Sequence, residues 1–362
     1  MSNAITKRMI NAYYQNAEIM PFLTGFFQSP PQNYHNSEEI ELDIEREDEE
    51  IAIVVTDLST GYRANVADMF TNKRMKPPIY KEKSPINAFD LIKREAGQNP
   101  FQDPNFQANA IGRAFKNFRL LEKKIRRAIE LQAAQVLQTG TLTLRDSNGT
   151  ALYTIDFQPK ATHFPTSGTT WGQTGDDKLG DLQSLSNVLR ADGKSSSDLL
   201  LFGEKAFESF IDDGKVQARL DSRNFSVGQV APEMRGNGGT FQGFIWIGNY
   251  RFQMWTYDGR YKDPQTGNST RFLDTGKVCM LSSQSSRLDL TFGSIPRIAP
   301  PESRALPFLP PRMSGSAQGM DLTTNAWLTE DGEQLFVSAG TRPLTIPTAI
   351  DTIGCLDTGL TE

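Results

Sequence analysis

Catalysis needs nucleophiles, bases or metal ligands within reach of one another, and this 362-residue chain offers few of them. It has two histidines, His35 and His163, and two cysteines, Cys279 and Cys355. A Cys–His pair or a Ser–His–Asp triad would have to use one of those imidazoles. His35 lies in a polar N-terminal stretch and His163 in a loop near Pro165, so both read as solvated loop histidines. No CxxC or CxH spacing occurs, which argues against a zinc site or a disulfide framework and fits a reducing cytoplasm. The run Glu38–Glu50 holds nine acids and one base, Arg46. Its oxygens could hold a hard cation, but it lacks the glycine turn and fixed spacing of a calcium loop. A solvated strand face or an ionic interface fits it better. The stretch Arg235-Gly236-Asn237-Gly238-Gly239 has the composition of a phosphate cradle. It precedes a strand, so no helix N-terminus completes the cradle, and it reads as a flexible loop. No catalytic, cofactor or metal residue is assigned, and the chain is not expected to be an enzyme.

Composition points the same way. The net charge is −5, a poor match for a protein that grips nucleic acid through its phosphates. No apolar run approaches the ~20 residues of a membrane span, and the first residues lack the apolar centre of a secretory signal. The expectation is a protein that stays in the cell that makes it, with no membrane contact. The 29 glycines and 20 prolines favour a strand-rich or mixed fold over a helical bundle.

The elements are read from periodicity. Met9 to Met20 can form a short helix, and Pro21 and Pro30-Pro31 interrupt the chain after it. Phe22, Phe26, Phe27 and Tyr34 make this either an arm with aromatic anchors or a terminal segment packed on its own domain. Ile40, Leu42 and Ile44 alternate with acids as in a strand, and Ile51, Ile53 and Val55 resume the pattern. Residues 56–86 are polar and rich in turn signals, a protruding hairpin with Met69 and Phe70 at its tip. A helix then runs from Asn105 to Thr139, roughly 50 Å at ~1.5 Å per residue. It has no internal proline, and Gly140 stands at its end. Its polar face carries Arg113, Lys116, Arg119, Lys123, Lys124, Arg126 and Arg127 against Glu122 and Glu130. A hairpin turns around Asp146-Ser147-Asn148-Gly149. Residues 176–295 form a new unit, with helices over Leu179–Arg190 and from Glu204 to Phe210. Strands are expected at 198–203, in FQGFIWIG and YRFQMWTYDG, and in VCMLSS. The chain ends in two strands with a turn at Gly340.

An arm, a hairpin, a long beam helix and one-sided charge zones are what a subunit needs to grip its neighbours. In that order the chain resembles the lambda-type major head proteins, the phage major capsid protein E family, a branch of the HK97-like capsid fold. The likeness is carried by LTGFF before the hairpin, by PPIYKEKSPIN, and by the NPFQDPNFQANAIGRAFKNFRLLEKKIRRAIELQAAQVLQTGTLTL stretch. It continues through the Trp171 stretch, DLLLFGEKAFESF, the strand pair with YDG, FGSIPRI, and the terminal segment with Trp327 and SAGTRPLTIPTA. The family's closing strands typically read Ser-Ala-Pro-Leu, and here Ala339 and Pro343-Leu344 are spaced wider.

The resemblance implies an α+β fold in five parts. These are an N-terminal arm (1–40), an extended E-loop hairpin (41–90), a P-domain with the spine helix 105–139 (91–175), an axial A-domain (176–295) and a return to the P-domain with the C-terminal strands (296–362). It implies hexamers and pentamers closing an icosahedral shell around phage double-stranded DNA, held without specific binding. A scaffolding protein, a portal protein and in some relatives a decoration protein are the implied partners. The implied place is the virion, after assembly in the host cytoplasm. A non-viral encapsulating compartment of the same fold is the other reading. Expected subunit contacts are the apolar residues Phe22, Phe26, Phe27, Met69 and Phe70, which one chain is expected to be unable to cover. The acids Glu47 and Glu49 are expected to meet Arg119, Lys123, Arg126 and Arg127 of the spine, in the same or an adjacent subunit.

Overall fold

A computed structural model describes residues 22–37, 39–44, 71–89, 106–146, 149–194, 196–219, 233–234, 238–282, 288–295, 321–329 and 333–361. The expected helix Met9–Met20, the strand at 51–55, the hairpin tip with Met69 and Phe70, and Glu47 and Glu49 lie outside these residues.

Helix α1 (Phe106–Thr139) is the axis of the molecule. Leu121, Ile125, Ile129, Ala133 and Leu137 are all buried at four-residue spacing, one stripe along its C-terminal half. It stops where expected. Gly140 takes φ +65 and its N–H bonds the Val136 carbonyl at 2.9 Å. A Cβ there would sit 2.7 Å from Pro159, so the site excludes side chains by space as well as by φ.

Short strands precede and follow the helix in sequence. β1 (Ile40–Ile44) pairs with β2 (Thr71–Met75). β3 (Tyr80–Asn87) returns along α1, and β4 (Thr141–Arg145) pairs with β5 (Ala151–Asp156) in the expected hairpin.

The next unit holds helices α2 (Lys178–Gly193), α3 (Glu204–Ile211) and α4 (Gly214–Gln217). Its strands are β6 (Leu199–Phe202), β7 (Glu233–Met234), β8 (Gly239–Ile247), β9 (Tyr250–Tyr257), β10 (Arg260–Lys262), β11 (Ser269–Arg271) and β12 (Lys277–Leu281). Then come β13 (Leu288–Phe292), β14 (Thr323–Leu328), β15 (Gln334–Thr341), β16 (Pro343–Pro347) and β17 (Gly354–Asp357).

The largest sheet has six strands in the order β17-β12-β6-β9-β8-β7, antiparallel except for the β6–β9 pair. A smaller sheet runs β14-β15-β3, and β13 pairs with β16. Within the segment expected to return to the P-domain, β17 instead joins the six-stranded sheet. The turn expected at Gly340 is not found there. Gly340 lies inside β15, where its missing side chain lets the Tyr80 carbonyl of β3 approach, and Arg342 is the one residue between β15 and β16, which join different sheets. Arg342 is buried and donates to the Ser294 carbonyl at 2.9 Å.

Strand alternation divides the six-stranded sheet into two faces. Leu199, Leu201, Trp255, Tyr257, Cys279 and Cys355 face the core built on α1. Leu200, Phe202, Met254, Val278, Met280 and Leu356 face α2, α3 and Trp171. On that second face the Phe202 ring packs 5.0 Å from Phe210 and 5.6 Å from Phe207.

The prediction is that Phe202→Ala costs roughly 3–5 kcal/mol in chemical denaturation. Leu152→Ala, at a side chain 63% exposed, costs under about 0.5 kcal/mol. Equal costs at the two sites would contradict the layered packing.

Candidate functional site

The separate parts of the chain are locked in register by polar residues of α1. Glu130 is 2% exposed. Its Oε1 accepts from the Phe22 N–H (2.9 Å), the Leu23 N–H (2.7 Å) and the Tyr257 hydroxyl (2.9 Å). Its Oε2 accepts from the Thr24 N–H (3.0 Å) and hydroxyl (2.7 Å). The three N–H groups open a 3-10 turn, Leu23–Phe26, so the carboxylate sits at the end where such a turn leaves its donors unpaired. Burial, with the Glu130 charge beside it, pushes the Tyr257 phenol above its ordinary pKa, which keeps it a donor.

Aromatic packing completes the joint. The Phe22 ring stacks on Tyr257 at 5.2 Å, lies 5.8 Å from Trp255 and meets Phe26 edge-on at 5.4 Å. A Cβ on Gly239 would collide with that ring. Gly239, read from sequence as part of a flexible loop, is therefore the bare floor on which Phe22 rests. Arg235 to Asn237 of that stretch lie outside the described residues.

Residues 28–35 continue along β13, with the Gln28 N–H on the Leu288 carbonyl, the Leu290 N–H on the Gln28 carbonyl, and Tyr34 stacked on Phe292 at 5.1 Å. Phe22 and Phe27 are thus core residues of their own chain, and Phe26 is half-buried against the same core. The expectation that one chain could not cover Phe22 and Phe27 is corrected, and Phe26 is covered in part. The segment fills a pocket that its own carboxylate, tyrosine and glycine prepare.

Other α1 side chains tie down the remaining parts. Asn117 donates to the Ser84 hydroxyl at 3.0 Å and Gln132 to the Tyr80 hydroxyl at 2.9 Å, both on β3. Gln138 brackets the loop before β12, donating to the Phe272 carbonyl at 2.8 Å and accepting from the Asp274 N–H at 3.0 Å. Arg126 forks onto Asp321, with Nη1 at 2.6 Å from Oδ1 and Nη2 on Oδ2, and also meets Glu122 at 3.6 Å. Lys124 pairs with Glu82 at 2.7 Å.

These spine cations take partners from β3, from residue 321 and from their own helix. From the acidic run, Glu39 pairs with Lys76 at 3.5 Å, and residues 45–50 lie outside the described residues. Arg119 is exposed, and Lys123 and Arg127 are half-buried. Phe115 and Leu120, on the same half of the helix, are 50% and 57% exposed.

His163 differs from expectation. It is fully buried, with Nε2 2.8 Å from Asp192 Oδ2. Its imidazole and Lys160 hold the Asp192 carboxyl below the usual carboxylate range. The loop around it lies between α2 and the edge of the six-stranded sheet, where Thr166 bridges to Asp357 of the edge strand β17. Nothing in the polar sequence around His163 announces that contact. His35 is half-buried. Among the described residues, no group of three or more His, Cys, Asp or Glu could hold a metal ion.

A family model described as phage major capsid protein E matches residues 15–354. Among solved structures, a prophage protein of E. coli CFT073 described as a capsid protein is 17% identical. The match covers 80% of this chain and 79% of that one, with a TM-score of 0.57. The capsid structure of cyanophage P-SCSP1u is 10% identical, covering 98% of this chain and 93% of that one at a TM-score of 0.51. At these identities the two structures speak to the fold alone. A search of curated proteins finds no match.

The joint makes a direct prediction. Glu130→Gln removes the charge and turns an amide donor toward N–H groups, which should cost roughly 3 kcal/mol of stability. Gly239→Ala should displace Phe22 without touching Glu130. In both variants, hydrogen exchange at the Leu23 and Thr24 amides should accelerate relative to the core of α1. Unchanged protection at those amides would show that Glu130 does not hold this segment.

Proposed function

The chain belongs to the phage major capsid protein E family, and from that membership we propose that it is the subunit from which a phage head is built. Its fold is the α+β, HK97-like fold of phage capsid proteins. In this reading, copies associate into hexamers and pentamers that close an icosahedral shell around double-stranded DNA. The virion is its final place and the host cytoplasm its place of assembly. A scaffolding protein and a portal are the partners this role calls for, joined in some relatives by a decoration protein. The chain's task is mechanical, with no catalysis of its own. One observation carries the reading: the family match extends over residues 15–354, nearly the whole chain.

The contacts between copies are assigned to the open half of α1. Phe115 and Leu120 are large, apolar and half in water, and exposed groups of this kind usually mark contacts. Arg119, Lys123 and Arg127 surround them, and the acids Glu47 and Glu49 of a neighbour are their proposed counterparts. Each exposed pair contributes only ~0–1 kcal/mol. Repetition around a shell, rather than any single pair, gives them weight. Phe26 is a further contact candidate, since its ring is only half covered.

Electron microscopy of the purified full-length chain tests the proposal. The expected result is closed shells or ring-shaped capsomers. Phe115→Asp combined with Leu120→Asp should leave the circular dichroism unchanged and abolish the shells. Small monodisperse particles from the unaltered chain would contradict the assembly role, and shells enclosing protein cargo would favour a compartment. Normal shells from the double variant would move the contact elsewhere.

A further inference from the structure

Cys279 and Cys355 are the chain's two cysteines, 76 residues apart and both free. Cys279 lies on β12 and Cys355 on β17, directly opposite each other in an antiparallel pair. Both face the α1 side of the sheet, and both are buried. Their sulfurs are 3.5 Å apart. Directly opposed residues of an antiparallel pair have Cα atoms ~4.5–5.5 Å apart. That lies inside the ~4.4–6.8 Å a disulfide spans, so bonding requires the sulfurs to close by about 1.5 Å through side-chain rotation.

We propose that Cys279 and Cys355 form a latent cross-strand disulfide site, oxidised by a peroxide outside a reducing compartment, that fastens strand β17 to β12. In the closed sheet the pair is inert. The Cys279 thiol donates to the Cys355 sulfur, and this contact with burial raises the Cys355 thiol well above its usual range. Reaction therefore waits for local opening of the strand end.

One thiol, deprotonated on opening, attacks a peroxide oxygen. The S–O bond forms, the O–O bond breaks, and a sulfenic acid and water result. The second sulfur then attacks the first, the S–S bond forms and the S–O bond breaks, and the departing hydroxide takes up the second thiol proton. Two thiols and one hydrogen peroxide give one disulfide and two waters, with two electrons passing from sulfur to the peroxide.

The consequence is mechanical. β17 is held on its other side by residues 166–171, with the Ser167 N–H on the Asp357 carbonyl at 2.8 Å and the Trp171 N–H on the Thr358 carbonyl at 3.1 Å. Fixing β17 to β12 fixes that segment as well, and the closed loop also restricts the unfolded chain. The benefit to a released particle rests on the capsid reading, whereas the bond itself does not.

The test treats the full-length protein with hydrogen peroxide well below its unfolding temperature. Remaining thiols are then blocked, and the chain is mapped without reduction. Most chains should carry an intrachain Cys279–Cys355 bond. Their Tm should rise by several degrees, dithiothreitol should reverse the rise, and Cys355→Ser should show neither change. Thiols that persist until global unfolding, sulfinic or sulfonic products, bonds only between chains, or an unchanged Tm would each overturn the proposal. Shell formation is scored separately by microscopy. A bond without shells removes only the capsid reading, and shells without a bond remove only this one.

Discussion

The Glu130 carboxylate is where three distant stretches of chain meet. A charge buried at that depth is costly unless its oxygens are fully engaged. The five donors that engage it come from residues 22–24 and from Tyr257. None is charged, so the carboxylate is engaged by neutral donors arriving from two directions. It requires the start of a 3-10 turn on one side and a phenol on the other. That requirement fixes the N-terminal segment against the middle of α1, and it fixes the end of β9 against the same helix. Phe22 then falls between Tyr257 and Gly239, and residues 28–35 are led along β13.

From that joint the rest of the architecture divides in two. The buried half of α1 belongs to the chain's own core, down to Gln138 and the loop before β12. The other half, around Phe115, Arg119 and Leu120, is left to solvent or to a neighbour. The six-stranded sheet repeats the division. One face meets α1, and the other closes a separate layer with α2, α3 and Trp171. A stiff beam with one committed half and one open half suits a subunit that keeps its shape while its surroundings repeat.

Much of this was legible in the sequence, for local reasons. Helix α1 announces itself by unbroken apolar spacing and by Gly140, and the β4–β5 hairpin by alternation around Asp146–Gly149. Strands β6, β8, β9 and β12 are apolar enough to be placed within a residue or two. What escaped depends on partners far away in the chain. Glu130 looked like one of two acids diluting a basic face, because nothing nearby in sequence shows that its donors lie 106–108 residues upstream and 127 residues downstream. Phe22 and Phe27 looked like exposed anchors for the same reason. His163 gave no sign of burial, since its cover comes from α2 and β17, both distant in sequence. Gly340 suggested a turn, but its small size serves a close approach of β3 inside a strand. The pairing of Cys279 with Cys355 arises from β17 crossing back to β12, which no local pattern encodes.

The N-terminal segment closes on its own subunit through Glu130, and the subunit, so locked, builds the shell. A cryo-electron microscopy reconstruction of particles assembled from the full-length chain tests it most directly. Density for Phe22 to Thr24 is expected against Glu130 and Tyr257 of the same subunit in every symmetry-distinct copy. Density placing that segment on a neighbouring subunit, with Glu130 paired to some other donor, would contradict it.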